Sequence, residues 1–452
     1  MILLSLAIIV VGICCLRKKY HNILFTVDNV CLMVYLALFC LFFPINYISA
    51  LLCSGMNDFI LSISLIEICA YYFAILIVFL TLNFSFAVLT KKKDIFCINT
   101  EKDISKGSTS ILKTASFIVF FIGCICDFLY MRAYGNYLNY FSYSNAIRSG
   151  VLTVYNLFSF LIPFRGCIII SSYLFLLLLI NKETKRLTYF IFFILSSAYS
   201  ILILYSNKGR VSFAVYFLIL FLCVLFSKKN VKYIKLKQMI FLFAGIILFS
   251  FVLVFLGAML GRNGTENVFL EIVDELSFVF NNFFRIIRCD DYEYYRFFID
   301  CFNWPIYLLP SSLWSKGLGL RTASDITTFI ASGAFKGELG INGIVYGETP
   351  ADLITIAYMQ LGFLGLPIFI LTWAFVGKLL IKIFVKKNTG PTLLFVKIYV
   401  AIEFFVNGIL YADPKHIVNS IFPFIVFLLV FFVVNLFSKK VRFENTSRPL
   451  NL

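Results

Sequence analysis

Between residues 261 and 352 this 452-residue chain concentrates 12 of its 23 carboxylates and seven of its 39 basic residues. Carboxylates accept protons, while arginine and lysine hold phosphates or developing negative charge, so a segment rich in both can bind an anionic substrate and activate a hydroxyl. Arg285 and Arg288 are three apart and share one helical face, with Arg296 further on. Glu338, Glu348 and Asp352 lie in or beside a glycine-rich run ending at Pro350. Arg210 stands apart from these, closing the pentapeptide 206–210, Ser-Asn-Lys-Gly-Arg, between two apolar runs. A planar guanidinium that keeps its charge at every relevant pH suits bidentate phosphate binding there. The alternative for Lys208 and Arg210 is a snorkelling pair among lipid headgroups.

The elements that must position these residues are apolar. Hydrophobic residues make up 61% of the chain and charged residues only 14%. Runs repeatedly reach the roughly 20 residues needed to cross a ~30 Å hydrocarbon layer as helix, and they lack the alternation of barrel strands. The fold class expected is all-α: a polytopic integral membrane protein with about eleven transmembrane helices and one large outer loop containing an amphipathic helix. Hydropathy places the spans near 1–16, 29–47, 60–83, 114–131, 163–180, 189–205, 211–227, 239–260, 353–376, 393–411 and 417–437. The domains are then 1–260 (eight spans), 261–352 (the loop that binds substrate and reacts), 353–437 (three spans) and 438–452 (a cytoplasmic tail). The first run, followed directly by Arg17, Lys18 and Lys19 and lacking a cleavage site, reads as an uncleaved anchor.

The net charge of +16 comes from small basic clusters between spans, a sign of topology rather than nucleic-acid binding. Short loops on one side hold 26 Lys and Arg against five on the other, which orients the large loop away from the cytoplasm. The 13 Cys lie mostly within apolar runs and show no metal-type spacing; Cys289 and Cys301 share the large loop, which leaves a disulfide open.

Four ionisable residues fall inside spans: Glu67, Asp127, Arg165 and Glu403. From the helical rise, Glu67 lies roughly 10 Å below the outer surface, Asp127 and Arg165 nearer still, and Glu403 close to mid-membrane. They either form a polar cavity opening outward or pair with one another to fix helix packing. The outer segment from Met131 to Gly150 carries five Tyr or Phe and two Arg, fitting either a headgroup-level belt or a stacking platform for sugars. In the large loop, Val268, Ile272, Leu276, Val279, Phe283 and Ile287 recur at helical spacing, and Pro305 and Pro310 interrupt the pattern. The stretch from Ser315 to Pro350 has no strong period and reads as an irregular glycine-rich loop.

The run Pro310-Ser-Ser-Leu313-Trp314-Ser-Lys316, the Gly/Thr-rich stretch, Gly347-Glu-Thr-Pro350 and Tyr358-Met-Gln-Leu-Gly362-Phe-Leu-Gly365 together resemble the bacterial O-antigen (oligosaccharide repeat-unit, Wzy-type) polymerases over about 205–365. The resemblance implies a glycosyltransferase in the bacterial inner membrane with a periplasmic large loop. It would transfer a growing glycan from undecaprenyl pyrophosphate to the terminal sugar of an incoming lipid-linked repeat unit, with no metal and no cofactor. Arg210 matches the family's arginine at the start of a span, and Arg285 or Arg288 and Lys316 match basic positions around the Pro-x-x-Leu-Trp element. With Arg321 these are the expected pyrophosphate-binding residues. Ser311 stands where the family commonly has Arg, and Ile356 where an acidic residue is expected, with Asp352 one turn earlier as substitute. His21 falls on the cytoplasmic side and His416 in a different loop, so the general base expected is a carboxylate: Glu348, Glu338 or Asp352. The implied partners are undecaprenyl-pyrophosphate-linked oligosaccharide, membrane lipids and a chain-length regulator protein. An O-antigen ligase or a transporter of lipid-linked oligosaccharide are the alternatives; the ligases usually carry a loop histidine and the transporters usually show repeated halves, neither of which is found here.

Overall fold

The structure is a computed structural model that describes residues 62–89, 106–149, 152, 156–180, 186–207, 210–227, 268–289, 294–309, 312–341, 343–345, 347–385 and 391–446. Helices α1 (Leu65–Leu89), α2 (Lys106–Met131), α3 (Tyr137–Ser149), α4 (Gly166–Ile180), α5 (Arg186–Asn207) and α6 (Arg210–Ser227) precede the large loop. Within the loop lie α7 (Val268–Arg288) and α8 (Ala323–Ser332), and after it α9 (Leu353–Val385), α10 (Pro391–Ile402) and α11 (Pro414–Thr446). Hydropathy gives about eleven spans; among the described residues six helices are long and apolar enough to cross a membrane, in α1, α2, α4, α5, α9 and α11. This is an all-α membrane protein. The expected spans at 1–16, 29–47 and 239–260 lie outside the described residues. Those at 211–227 and 393–411 are helical, the latter as α10, a π-helical stretch Glu403–Asn407 and a last turn Gly408–Leu410.

Helix α4 packs against α2, α5, α6 and α11, and it buries Ser171, Ser172 and Tyr173 as well as its apolar residues, which suits a helix held among protein neighbours rather than against lipid. Ile168, Leu174, Phe175, Leu177 and Leu178 are fully buried, and Ser171 and Ser172 satisfy their hydroxyls on the carbonyls of Ile168 and Ile169. Its entry is tight: a Cβ on Gly166 would stand 2.3 Å from Pro423 Cγ of α11, so only glycine lets the two helices meet there. The 3₁₀ stretch Ser159–Arg165, containing Pro163, leads into α4 and sets Arg165 at its head.

The amphipathic helix expected in the loop is present as α7, and its apolar face is packed into the bundle. Tyr71 of α1 meets Phe280, Phe283 and Phe284 at ring separations of 5.2, 5.4 and 5.9 Å. The expectation of an irregular segment from 315 to 350 is corrected. Thr322 and Asp325 form a reciprocal capping box that starts α8, and Gly333 in the left-handed region ends it. A two-stranded hairpin follows, Leu339–Gly340 (β1) against Gly343–Ile344 (β2). Composition hid these elements because a ten-residue helix and two-residue strands are too short to set a period.

Helix α9 breaks at Leu361 and Gly362, the latter at φ +57. The break frees carbonyls for the loop, so Arg296 N donates to Met359 O at 2.8 Å and Phe297 N to Gln360 O at 3.0 Å. Arg296 then pairs with buried Asp300, which also accepts from Gln360 Nε2 at 2.9 Å, and Arg296 Nη2 reaches Arg321 O at 2.9 Å. Phe297 and Phe298 take positive φ to make this docking. The glycine of the Gly-x-x-Gly run is therefore the point where the loop is fastened to the bundle.

Candidate functional site

A cavity of about 760 Å³ lies among α4, α6, α10, α11 and the loop segment around Trp314. Its wall takes Arg165, Gly166 and Tyr173 from the α4 side, Ser212 and Tyr216 from α6, and Glu403 and Asn407 from the π-helical stretch. Lys415 and His416 at the head of α11 join Tyr307, Leu309 and Trp314 of the loop to complete it. Tyr307 and Trp314 meet edge to face at 5.1 Å, and the Lys415 ammonium stands 5.6 Å from the Trp314 ring centre. Trp314 is the aromatic of the Pro-x-x-Leu-Trp run, which places that run at the cavity.

Arg165 is held by a buried cage. Its Nε donates to Asp127 Oδ1 at 2.5 Å, and Nη1 to the Tyr140 hydroxyl at 3.3 Å. The guanidinium also faces the Tyr130 and Tyr140 rings at 4.9 and 5.4 Å. Asp127 Oδ2 accepts from Tyr137 and Tyr199, at 2.6 and 2.5 Å. The tyrosines of 130–140 thus serve this ion pair, a use that neither a headgroup belt nor a sugar platform describes. Among the described residues, three polar atoms on residues that line the cavity are buried without a hydrogen-bond partner: Arg165 Nη2, Tyr307 Oη and His416 Nε2. Each such atom costs about 1–3 kcal/mol unless something supplies its partner.

The other residues singled out from the sequence are distributed as follows. Arg210 begins α6, two residues before Ser212 of the cavity wall, and Lys316 follows Trp314 by two; both side chains lie outside the described ones. Arg288 turns to Glu67, at 2.5 and 3.0 Å, and to Ser62, while Arg285 Nη1 donates to Ala331 O at 3.3 Å. The Glu67 contact raises the Arg288 pKa further. Arg321 is exposed with its guanidinium 4.0 Å from the Phe335 ring centre. Arg285, Arg288 and Arg321 are not among the cavity-lining residues.

Nor are the three carboxylates. Glu338 is exposed and accepts from Phe335 N at 3.0 Å to close a turn before the hairpin. Glu348 bridges Lys336 and Lys415 at 3.3 and 3.4 Å. Partial burial raises its pKa, but Lys415 and Lys336 outweigh that and hold it below the usual range, which weakens it as a base. Asp352 is fully buried and caps α9, accepting from Ile354 N at 2.9 Å, Thr355 N at 3.1 Å and the Thr355 hydroxyl. Burial pushes its carboxyl up to about 6 despite these donors. Cys289 and Cys301 are both free thiols.

His416, set aside in the sequence as belonging to another loop, lines the cavity, its ring stacked on Tyr411 at 4.9 Å. The segment that carries it is tied to the large loop through Ala412 N to Ala351 O at 2.8 Å and Ser324 N to Asp413 Oδ2 at 2.8 Å. The alternation of spans already put residues 412–416 on the large-loop side, and that was the available signal. Compared with family models, curated proteins and solved structures, the chain matches none. The cavity and the motifs carry the functional reading.

Proposed function

We propose that this protein is a polymerase of lipid-linked oligosaccharides on the outer face of the bacterial inner membrane. It moves a growing glycan from undecaprenyl pyrophosphate onto the terminal sugar of an incoming repeat unit and releases undecaprenyl pyrophosphate. The observation that carries the reading is the cavity between spans that is roofed by the Trp314 segment and bordered by Arg165, Lys415 and His416. Aromatic faces such as Trp314 and Tyr307 suit pyranose rings, and the buried atoms without partners on Arg165, Tyr307 and His416 suit an oxygen-rich leaving group. In this proposal the pyrophosphate lies on the Arg165 and Lys415 side; by backbone position Arg210 stands two residues before Ser212 and Lys316 two after Trp314, and Ser212 and Trp314 both line the cavity. Arg285, Arg288 and Arg321 act along the loop surface.

The test is reconstitution of the purified full-length chain in vesicles with lipid-linked repeat units. Growth of a ladder of polymer with release of undecaprenyl pyrophosphate supports the reading. Repeat units that cross the bilayer without chain growth make the protein a transporter, and transfer only onto a lipid A core makes it a ligase; either outcome refutes polymerisation.

A further inference from the structure

Glu403 differs from the carboxylates around it. Asp127 is bound by Arg165 and two tyrosines, Asp300 by Arg296 and Gln360, Glu67 by Arg288 and Ser64, and Glu348 by two lysines. Asp413 accepts from the backbone of Ser324 and Lys415. Among the described residues, Glu403 pairs with no cation; its one hydrogen-bond partner is the Asn407 amide, at 2.8 Å to Oε2. It is 8% exposed and lines the cavity. A carboxylate within a span costs on the order of 2.5–3.5 kcal/mol, and such residues mark substrate or proton paths. The backbone there is π-helical from Glu403 to Asn407, a deformation frequent at functional sites.

Its place within the cavity can be read from the helices. Tyr399 lies one turn before Glu403 on the same face, and its ring is 6.4 Å from that of Tyr173. Tyr173 is eight residues along α4 from Arg165, roughly 12 Å at helical rise. The cavity therefore has a donor-rich end near Arg165 and an acceptor end near Glu403, in one continuous space.

We propose that Glu403 is the general base for the acceptor sugar. This rests on the polymerase reading and assigns its missing group. The acceptor hydroxyl oxygen bonds to the anomeric carbon of the donor glycan as the bond from that carbon to the pyrophosphate oxygen breaks. The pyrophosphate leaves with the electron pair, and the hydroxyl proton passes to the Glu403 carboxylate. Asn407, donating to Oε2, orients the carboxylate with its other oxygen available to the substrate.

The test uses the full chain in vesicles with lipid-linked repeat units, comparing Glu403→Gln, Glu403→Asp and Glu403→Ala for polymer growth and for repeat-unit binding. Glu403→Gln keeps the size of the side chain and is expected to retain binding while growth slows by about 100- to 10,000-fold. Glu403→Asp retains partial growth, and added formate, a small carboxylate able to occupy the vacated space, restores part of the Glu403→Ala rate. Growth of Glu403→Gln at the wild-type rate overturns the proposal. So does parallel loss of binding and growth in all three variants without formate rescue, which makes Glu403 a packing group. Absence of polymer from the wild-type protein sinks the polymerase reading instead, so the two failures are distinct.

Discussion

Removing one member of the Asp127 and Arg165 pair separates the structural part of the site from the chemical part. Both side chains are buried, at 0% and 3% exposure. Breaking such a pair typically costs about 3–5 kcal/mol, because the remaining charge has no counter-ion and little water. The two single changes are unequal. Arg165→Met leaves Asp127 with hydrogen bonds from Tyr137 and Tyr199, so its cost falls near the lower end, about 3 kcal/mol. Asp127→Leu leaves Arg165 with the Tyr140 hydroxyl and two ring faces, and its cost falls nearer about 5 kcal/mol. The double variant Asp127→Leu with Arg165→Met removes both charges and lets Tyr137 and Tyr199 bond to each other, as they already do. Its stability returns to within about 1–2 kcal/mol of wild type. Unfolding of the detergent-solubilised chain, followed by tryptophan fluorescence in a denaturant titration, measures all three variants. Polymer growth in vesicles is read in parallel, and the double variant is expected to be folded and inactive, since Arg165 is then absent from the cavity. A loss below about 1 kcal/mol for Arg165→Met would refute the buried pair. Wild-type polymer from the double variant would remove Arg165 from the chemistry.

Two further outcomes follow from the loop attachments. Gly362→Ala puts a Cβ where φ is +57 and ψ −142, costing about 1–3 kcal/mol, and releases the loop, read as faster amide exchange at Arg296 and Phe297. Unchanged exchange at both amides would show that the break does not hold the loop. Burial raises the Asp352 carboxyl from 3.8 to about 6, on the order of 3 kcal/mol in favour of the neutral form. Stability from this group is full below about pH 4 and is lost as pH rises through about 6. Asp352→Asn, an equally good cap, should flatten that dependence and raise the thermal midpoint near neutral pH; an unaltered profile refutes the assignment.

What could be read along the chain are the features made by neighbours in sequence. The runs that became α1, α2, α4, α5, α9 and α11 are set by length and hydropathy, and α7 by spacing at three and four, because a helix takes its period from adjacent residues alone. Short elements leave no such signal: no period marks α8, and only Thr322 and Asp325 at capping-box spacing announce it. Gly362 is legible as a motif residue, but its role as the break that frees the Met359 and Gln360 carbonyls depends on a segment some 60 residues away in sequence. The cavity was out of reach for the same reason. Arg165, Tyr307, Glu403 and His416 come from four elements separated by as many as 251 positions, and no periodicity links them. Charge type showed that a polar site was needed within the spans; the close packing of α4 against α11 at Gly166 and the fastening of the loop to α9 decided which of the charges form it.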